Sequence, residues 1–311
     1  MDLDLSLYAE KALAQVPRLL SLGDREPGSA TYGCFDRYYW HYRILDFSNA
    51  RFQEAAWLLA LLYKYQLPGS SYHGKEKLRK WALAAVDFWA KAQRSDGSVD
   101  EVYPWEHSFV ATAFTTFAVS EALLILGESG PQRALKRAGD WLASHDNPLV
   151  ANQVAGAAAA LYNLHLLTGE EKHAAAAQRQ ITRLLERQAG EGYFYEYGGF
   201  DMGYLSICLG YLVRYQAKSG DEKALNAIEK GITFSGEWVG PQGGYDYSQT
   251  SRHTQYIYPY AFLREPGRTL LERHLKGVAA DSVVTPGWMD DRFCLPLTID
   301  YLATYIGAVA P

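Results

Sequence analysis

Three observations in the amino-acid sequence predict an all-α fold, an (α/α)6 toroid of six inner and six outer helices in a single domain spanning 1–311. A motif recurs about every fifty residues, polar helical segments alternate with strongly apolar ones, and strand patterns are nearly absent. The recurring motif begins at Phe88 (FWAKAQRSDGSV), Trp141 (WLASHDNPLVAN), Arg183 (RLLERQAGEGYF) and Phe234 (FSGEWVGPQGGY). In each copy a helix-ending residue, Gln93, Asp146, Gln188 or Val239, is followed four positions on by Gly97, Val150, Gly192 or Gly243. Three of those four are glycine, which leaves a helix through a left-handed turn without strain. A repeat of this length is the signature of stacked helical hairpins.

The elements follow in order. The outer set comprises 5–20, 75–94, 131–145, 171–189, 221–238 and 266–280, segments rich in Lys, Arg and Glu with one apolar stripe, as in EEKHAAAAQRQITRLLERQ. That pattern is half exposed. The inner set comprises 50–66, 106–127, 151–168, 201–218, 251–263 and 295–308. FVATAFTTFAVSEALLIL and NQVAGAAAALYNLHLL are apolar nearly all round and rich in small residues, so these helices are expected to be buried. An open superhelix of hairpins would leave one face of its inner layer wet, which favours the closed arrangement. SVVTP at 282–286 is the one short strand candidate.

Composition narrows the function. With 48% hydrophobic and 21% charged residues the chain is an ordinary globular one, and a net charge of −5 without a Lys/Arg run argues against nucleic acid as a partner. No run approaches the length of about 18 apolar residues that a membrane span needs. The acidic start MDLDLSLYAEKALAQV lacks a basic segment followed by an apolar one, so a cytoplasmic location is expected. Cys34, Cys208 and Cys294 are far apart with no CxxC, which argues against a disulfide scaffold or zinc site. No metal-ligand spacing stands out, and no cofactor is expected. The anomaly is aromatic: 23 Tyr and 8 Trp, many of them in glycine-rich connections, offer flat faces with polar handles that suit sugar rings.

The connections from outer to inner helix carry most of the unusual chemistry, and in a toroid they would converge at one mouth. The first holds Asp36, Arg37, His41, Arg43, Asp46, Asn49 and Arg51, and the second holds Trp105, Glu106 and His107. Asn152 and Gln153 mark the third; Glu196, Tyr197, Asp201 and Tyr204 the fourth. The fifth carries Tyr247, Arg252, His253, Gln255 and Tyr256, and the sixth Trp288, Asp290, Asp291 and Arg292. Asp46, Asn49 and Asp201 also read as helix caps, and SRHTQY at 251–256 would gather Arg252, His253, Gln255 and Tyr256 in one helical turn. The opposite links, LTGEEK and KSGDEK, are short and plain.

The QxxDGS turn at 93–98, echoed at Gln188, resembles the repeat of terpenoid-cyclase toroids, although the acidic DxDD motif is missing. EGYFYEYGGFDMGYLSICLGYLVRYQAKSGDEKAL, followed by GGYDYSQTSRHTQYIYPYAF, is similar to carbohydrate-active toroids. These include heparinase- and alginate-lyase-type domains and unsaturated glucuronyl hydrolases. That resemblance implies a saccharide substrate and cleavage of a glycosidic bond in a uronic-acid-containing polymer. In a lyase reading, His107 or His253 is the base and Tyr256, Tyr247 or Tyr204 the acid. Asn152, Gln153 or Arg252 would then neutralise the sugar carboxylate. In a hydrolase reading two of Asp36, Glu106, Glu196 and Asp201 flank the bond. Asp36, Arg37, His41, Arg43, Trp105, Tyr197, Tyr204, Tyr247 and Trp288 are the further expected substrate contacts. The same toroid pattern is also compatible with an isoprenoid cyclase or a non-catalytic saccharide-binding protein.

Overall fold

The computed structural model describes residues 3–309, and among them there are helices and turns but no strand. The helices are α1 Ser6–Leu13, α2 Val16–Leu20, α3 Arg37–Trp40, α4 Ala55–Lys64, α5 Glu76–Ala92, α6 Phe109–Leu126 and α7 Gln132–Ser144. They continue with α8 Ala151–Thr168, α9 Glu171–Leu185, α10 Met202–Ser219, α11 Glu222–Trp238, α12 Arg268–Ala279 and α13 Asp291–Val309. Contacts group the chain into two compact units. One comprises Met1–Ala14, Asn147–Ala159 and Gln178–Pro311; the other comprises Gln15–Asp146 and Ala160–Ala177.

Five of the six expected inner helices form, and the fifth in chain order, 251–263, does not. Within 251–263 only Pro259–Leu263 is helical, as a single 3-10 turn, so SRHTQY is not a helical turn and its four polar residues do not share a helix face. The reason lies in where the backbone groups of this stretch find partners. The amides of Arg252 and Thr254 both donate to Asp201 Oδ2 at 3.2 Å, and that of Tyr258 donates to Ser206 Oγ at 3.0 Å. The carbonyls of Thr254 and Tyr256 accept from the Tyr245 hydroxyl at 2.7 and 3.2 Å. Side chains from other segments replace the helical ladder, and Pro259 disfavours helical geometry in the residue before it.

Smaller differences have equally local causes. The outer segment 5–20 is split into α1 and α2 just before Pro17. The first inner helix opens as a 3-10 turn, Ala50–Glu54, and α13 begins at Asp291 rather than 295. SVVTP forms no strand; it leads into a 3-10 turn, Pro286–Trp288. α3 is an element the periodicity does not show, nucleated by Asp36, whose Oδ1 accepts the Tyr38 amide at 3.0 Å. α6 is long and apolar enough to cross a membrane by length and composition, contrary to the sequence expectation, and 67% of it is buried inside the protein.

The repeat has a mechanical meaning. Gln93 donates to the Ala134 carbonyl of α7 at 3.0 Å, and Gln188 donates to the Ala227 carbonyl of α11 at 2.9 Å. Four residues on, Gly97 (φ 98°) and Gly192 (φ 111°) lie against the next outer helix. A β-carbon would stand 2.4 Å from the Arg137 carbonyl oxygen at the first and 2.5 Å from that of Lys230 at the second. Each Gln-x-x-x-Gly therefore fastens the end of one outer helix to the backbone of the next.

Each unit has its own core. In the second unit α4 packs on α5 and α6, and the buried Trp89 indole donates to Thr115 Oγ1 at 2.9 Å. In the first, α1 packs on α13 and α12, and α10 packs on α11. Tyr8, His274 and Tyr301 meet there, fully or almost fully buried, with Tyr8 Oη 2.8 Å from His274 Nδ1.

Candidate functional site

In the unit that contains residues 15–146, the loop between α5 and α6 builds a compact constellation around Asp100. This buried carboxylate accepts from Arg94 Nε at 2.7 Å, from the Trp105 amide at 2.9 Å and from the His107 amide at 3.0 Å. Burial alone would raise its pKa, but the Arg94 charge and these hydrogen bonds outweigh burial and hold it low. The loop is thereby wound so tightly that Trp105 (φ 64°) and His107 (φ 49°) both adopt left-handed backbone conformations. The Trp105 ring is 71% exposed, and the Arg94 guanidinium lies 4.0 Å from its centroid, supporting the indole as a rigid platform. Glu106 Oε2 accepts the amides of Glu101 and Val102 at 2.9 and 2.7 Å and so closes the turn.

His107 is oriented to one tautomer. Ser98 Oγ gives its only proton to Asp96 Oδ1 at 2.7 Å, so it can only accept from His107 Nδ1, 2.8 Å away. Asp96 Oδ2 is also 2.8 Å from Nδ1. Both contacts place a proton on Nδ1, so in the neutral tautomer the lone pair is on Nε2, and the ring is 41% exposed. Burial pushes Asp96 up, but the Ser98 hydrogen bonds and His107 outweigh it and keep the carboxylate ionised.

The loop before α4 belongs to the same unit. Asp36 is buried and ties the loop together, accepting from Tyr38 N through one oxygen and from Asn49 N, at 2.7 Å, through the other. Burial raises its pKa despite those bonds. Asn49 caps the turn into α4. Arg37 lies 5.3 Å from the Tyr42 ring, His41 packs between Trp40 and Tyr42, and Arg43 is exposed with φ 54°. Asp46 is exposed; Arg51 is buried in a close pair with Glu54.

The other unit holds the remaining candidates. Asp201 is wholly buried and saturated. It caps α10 through Tyr204 N at 3.1 Å and accepts from Thr250 Oγ1 at 3.0 Å, from Thr254 Oγ1, and from the amides of Arg252 and Thr254. Glu196, equally buried, accepts Asn152 N at 2.8 Å and Asn152 Nδ2 at 3.0 Å at the start of α8. Burial, helped by the charge of Asp201, pushes Glu196 up to about 8. Gln153 accepts from Asn147 at 2.8 Å. Tyr197 (φ 55°) carries the Arg252 guanidinium 4.4 Å from its ring. Burial and Tyr197 raise Tyr204 above its usual value although Arg252 pulls the other way, so the phenol keeps its proton. His253 (φ 53°), Tyr247 and Trp288 are exposed, and Tyr256 is half-buried against Tyr258 at 5.6 Å. Asp290 caps the start of α13 through Phe293 N at 3.0 Å.

Two regularities run through both units. Of the fourteen large apolar side chains exposed among the described residues, all but Leu166 and Val309 lie on outer-to-inner connections. Of the six non-glycine residues with positive φ, all but Asp281 are candidate site residues. Strained backbone held in place by surrounding bonds clusters at functional sites. Asp96, Ser98 and Asp100 are not among the residues expected from sequence, although SDGSVD is visible as a polar turn, and neither are Thr250, Thr254 and Tyr245. A groove of about 370 Å³ lies among Gln178 of α9 and Lys223 and Lys230 of α11, and none of the candidates lines it. Among the described residues no three His, Cys, Asp or Glu side chains are grouped to hold a metal.

No family model and no curated protein matches the chain by sequence. Solved structures do match. An unsaturated glucuronyl hydrolase specific for heparin superposes with a TM-score of 0.61 at 11% identity, over 97% of each chain. A type II terpene cyclase from Scytonema, in complex with merosterolic acid A, gives 0.58 at 13% identity, over 98% of this chain and 99% of that one. A protein from Actinoplanes gives 0.54 at 16%, over 98% of each. The fold is the α/α toroid. It is shared with both groups that the sequence resembles, and at these identities the likeness extends to fold alone.

Proposed function

We propose that this toroid cleaves a uronic-acid-containing saccharide by β-elimination, with His107 as the base. The observation that carries this reading is the hydrogen-bond chain Asp96–Ser98–His107, which engages Nδ1 of the ring two residues along the chain from an exposed, buttressed indole. A sugar ring stacked on Trp105 would bring its C5 proton to Nε2. The base takes that proton, the electron pair forms the C4–C5 double bond, and the C4–O bond breaks. The imidazolium just formed holds the proton that the leaving oxygen needs. The developing charge on the C6 carboxylate calls for a cation, and Arg37 and Arg43 in the same unit are the candidates. The two buried carboxylates fit this chemistry less well, because Asp201 is saturated and Glu196 is fully enclosed.

A second reading, hydrolysis, is favoured by one feature. Glu196 retains a proton near neutral pH while sitting close enough to Asp201 to feel its charge, the division of roles that carboxylate pairs adopt. Incubation with a panel of uronic-acid oligosaccharides separates the two. Elimination gives an unsaturated product that absorbs in the ultraviolet, and His107→Gln is expected to lower its rate by about 10²–10⁴-fold. Asp96→Asn should lower kcat with little change in KM. New reducing ends without ultraviolet absorbance would replace this reading with hydrolysis. Undiminished turnover in His107→Gln would remove His107 from the reaction.

A further inference from the structure

A cavity of about 160 Å³ lies within the unit built from Gln178–Pro311, lined by the 243–247 turn, Gln255 and Ile257, the 282–284 stretch, Trp288 and His274 of α12. Its volume corresponds to about five waters at the liquid value of ~30 Å³ each, which is room for one sugar ring. Three features of its walls restrict what it can hold.

None of the lining residues carries a formal charge, so nothing there compensates an ion. Two aromatic side chains of the lining, Tyr247 and Trp288, are exposed by 44% and 60%, so their faces are available for stacking. The third feature is a pair of uncharged polar side chains, Gln255 and Ser282, both exposed, whose amide and hydroxyl can exchange hydrogen bonds with ring hydroxyls. His274 adds no charge: its ring lies against Tyr8 and Tyr301, Nδ1 is satisfied by Tyr8, Nε2 is enclosed without a hydrogen-bond partner, and burial keeps the imidazole neutral.

We propose that this cavity binds one neutral sugar ring, stacked on Trp288 and Tyr247, with its hydroxyls bonded by Gln255 and Ser282. The wall then selects a neutral hexose over a uronic acid, because a carboxylate would be desolvated with no cation to meet it. A free sugar and one residue of a longer saccharide are both possible sources of the neutral ring, since both present the same hydroxyls.

The test is titration of the full chain with methyl glucopyranoside, methyl galactopyranoside, the methyl glycoside of glucuronic acid and a neutral hexose trisaccharide. Calorimetry and tryptophan fluorescence read the binding. At least one neutral glycoside is expected to bind, with Trp288→Ala, an exposed position, weakening it about tenfold through the lost stacking. Tighter binding of the trisaccharide than of the glycosides identifies a chain residue as the occupant, and equal binding identifies the free sugar. The proposal is overturned if no neutral glycoside binds, if binding is unchanged in Trp288→Ala, or if the uronoside binds more tightly. These readouts report binding alone, so their outcome is separate from that of the elimination chemistry.

Discussion

At the scale of single residues, the site is a matter of which proton sits where. His107 gains a defined tautomer because Ser98 has one proton to give and gives it to Asp96. Glu196 shows the opposite effect, a carboxyl whose surroundings favour the neutral form. Its value in the fold is about 8, against ~4.3 for an unfolded chain. The folded state therefore keeps a proton that the unfolded state releases. This contribution to stability is complete below about pH 4, declines as pH rises, and is gone above about pH 8, with a slope of up to about 1.4 kcal/mol per pH unit. Glu196→Gln mimics the neutral acid, with the Asn152 amide turned over to accept from it. Urea denaturation at several pH values should find the variant's stability less dependent on pH between 5 and 8 than the parent's, by roughly that slope. Parallel curves for the two proteins would show that Glu196 does not titrate in this window. None of this was legible in EGYFYEYG, because the burial of a glutamate is set by helices distant in sequence.

At the scale of elements, helices were readable because their signals are local. Apolar periodicity marked α5 to α11 within a few residues of their observed ends. The 251–258 stretch shows where that reasoning stops. Its sequence admits a helix, and the outcome was decided by Asp201, Ser206 and Tyr245, which capture its backbone groups. The recurring glycines were legible as helix ends but not as contact points. Gly127 (φ 69°) has nothing within 4 Å of an added β-carbon, so Gly127→Ala should cost about 1–2 kcal/mol from its backbone conformation. Gly97→Ala and Gly192→Ala must in addition push aside the backbone of α7 or α11, bringing the loss to about 3 kcal/mol or more. Thermal or urea unfolding of the three variants compares them directly, and equal losses would mean that these close approaches do not constrain the fold.

At the scale of the whole molecule, stability and chemistry are divided between different parts of the chain. Helices α6, α8 and α13 are buried along most of their length, whereas exposed aromatics and strained backbone gather on the connections. Hydrogen exchange should follow that division, slowest in α6, α8 and α13 and fastest over 41–46. Within 250–258 the amides of Arg252, Thr254 and Tyr258, held by buried side chains, should exchange more slowly than those of His253 and Gln255. Protection in the connections equal to that of the helices would contradict this division. The sequence by itself determined the helical repeat, the alternation of polar and buried helices, and the concentration of Trp, Tyr and His in one class of connection. Those features depend on residues near one another in the chain. Only the tertiary structure decided that Asp201 and Glu196 are enclosed, that Asp96 and Ser98 fix His107, and that His274 is left with an unpaired nitrogen. Burial and hydrogen-bond partnership depend on which distant segments meet, and no local pattern encodes that.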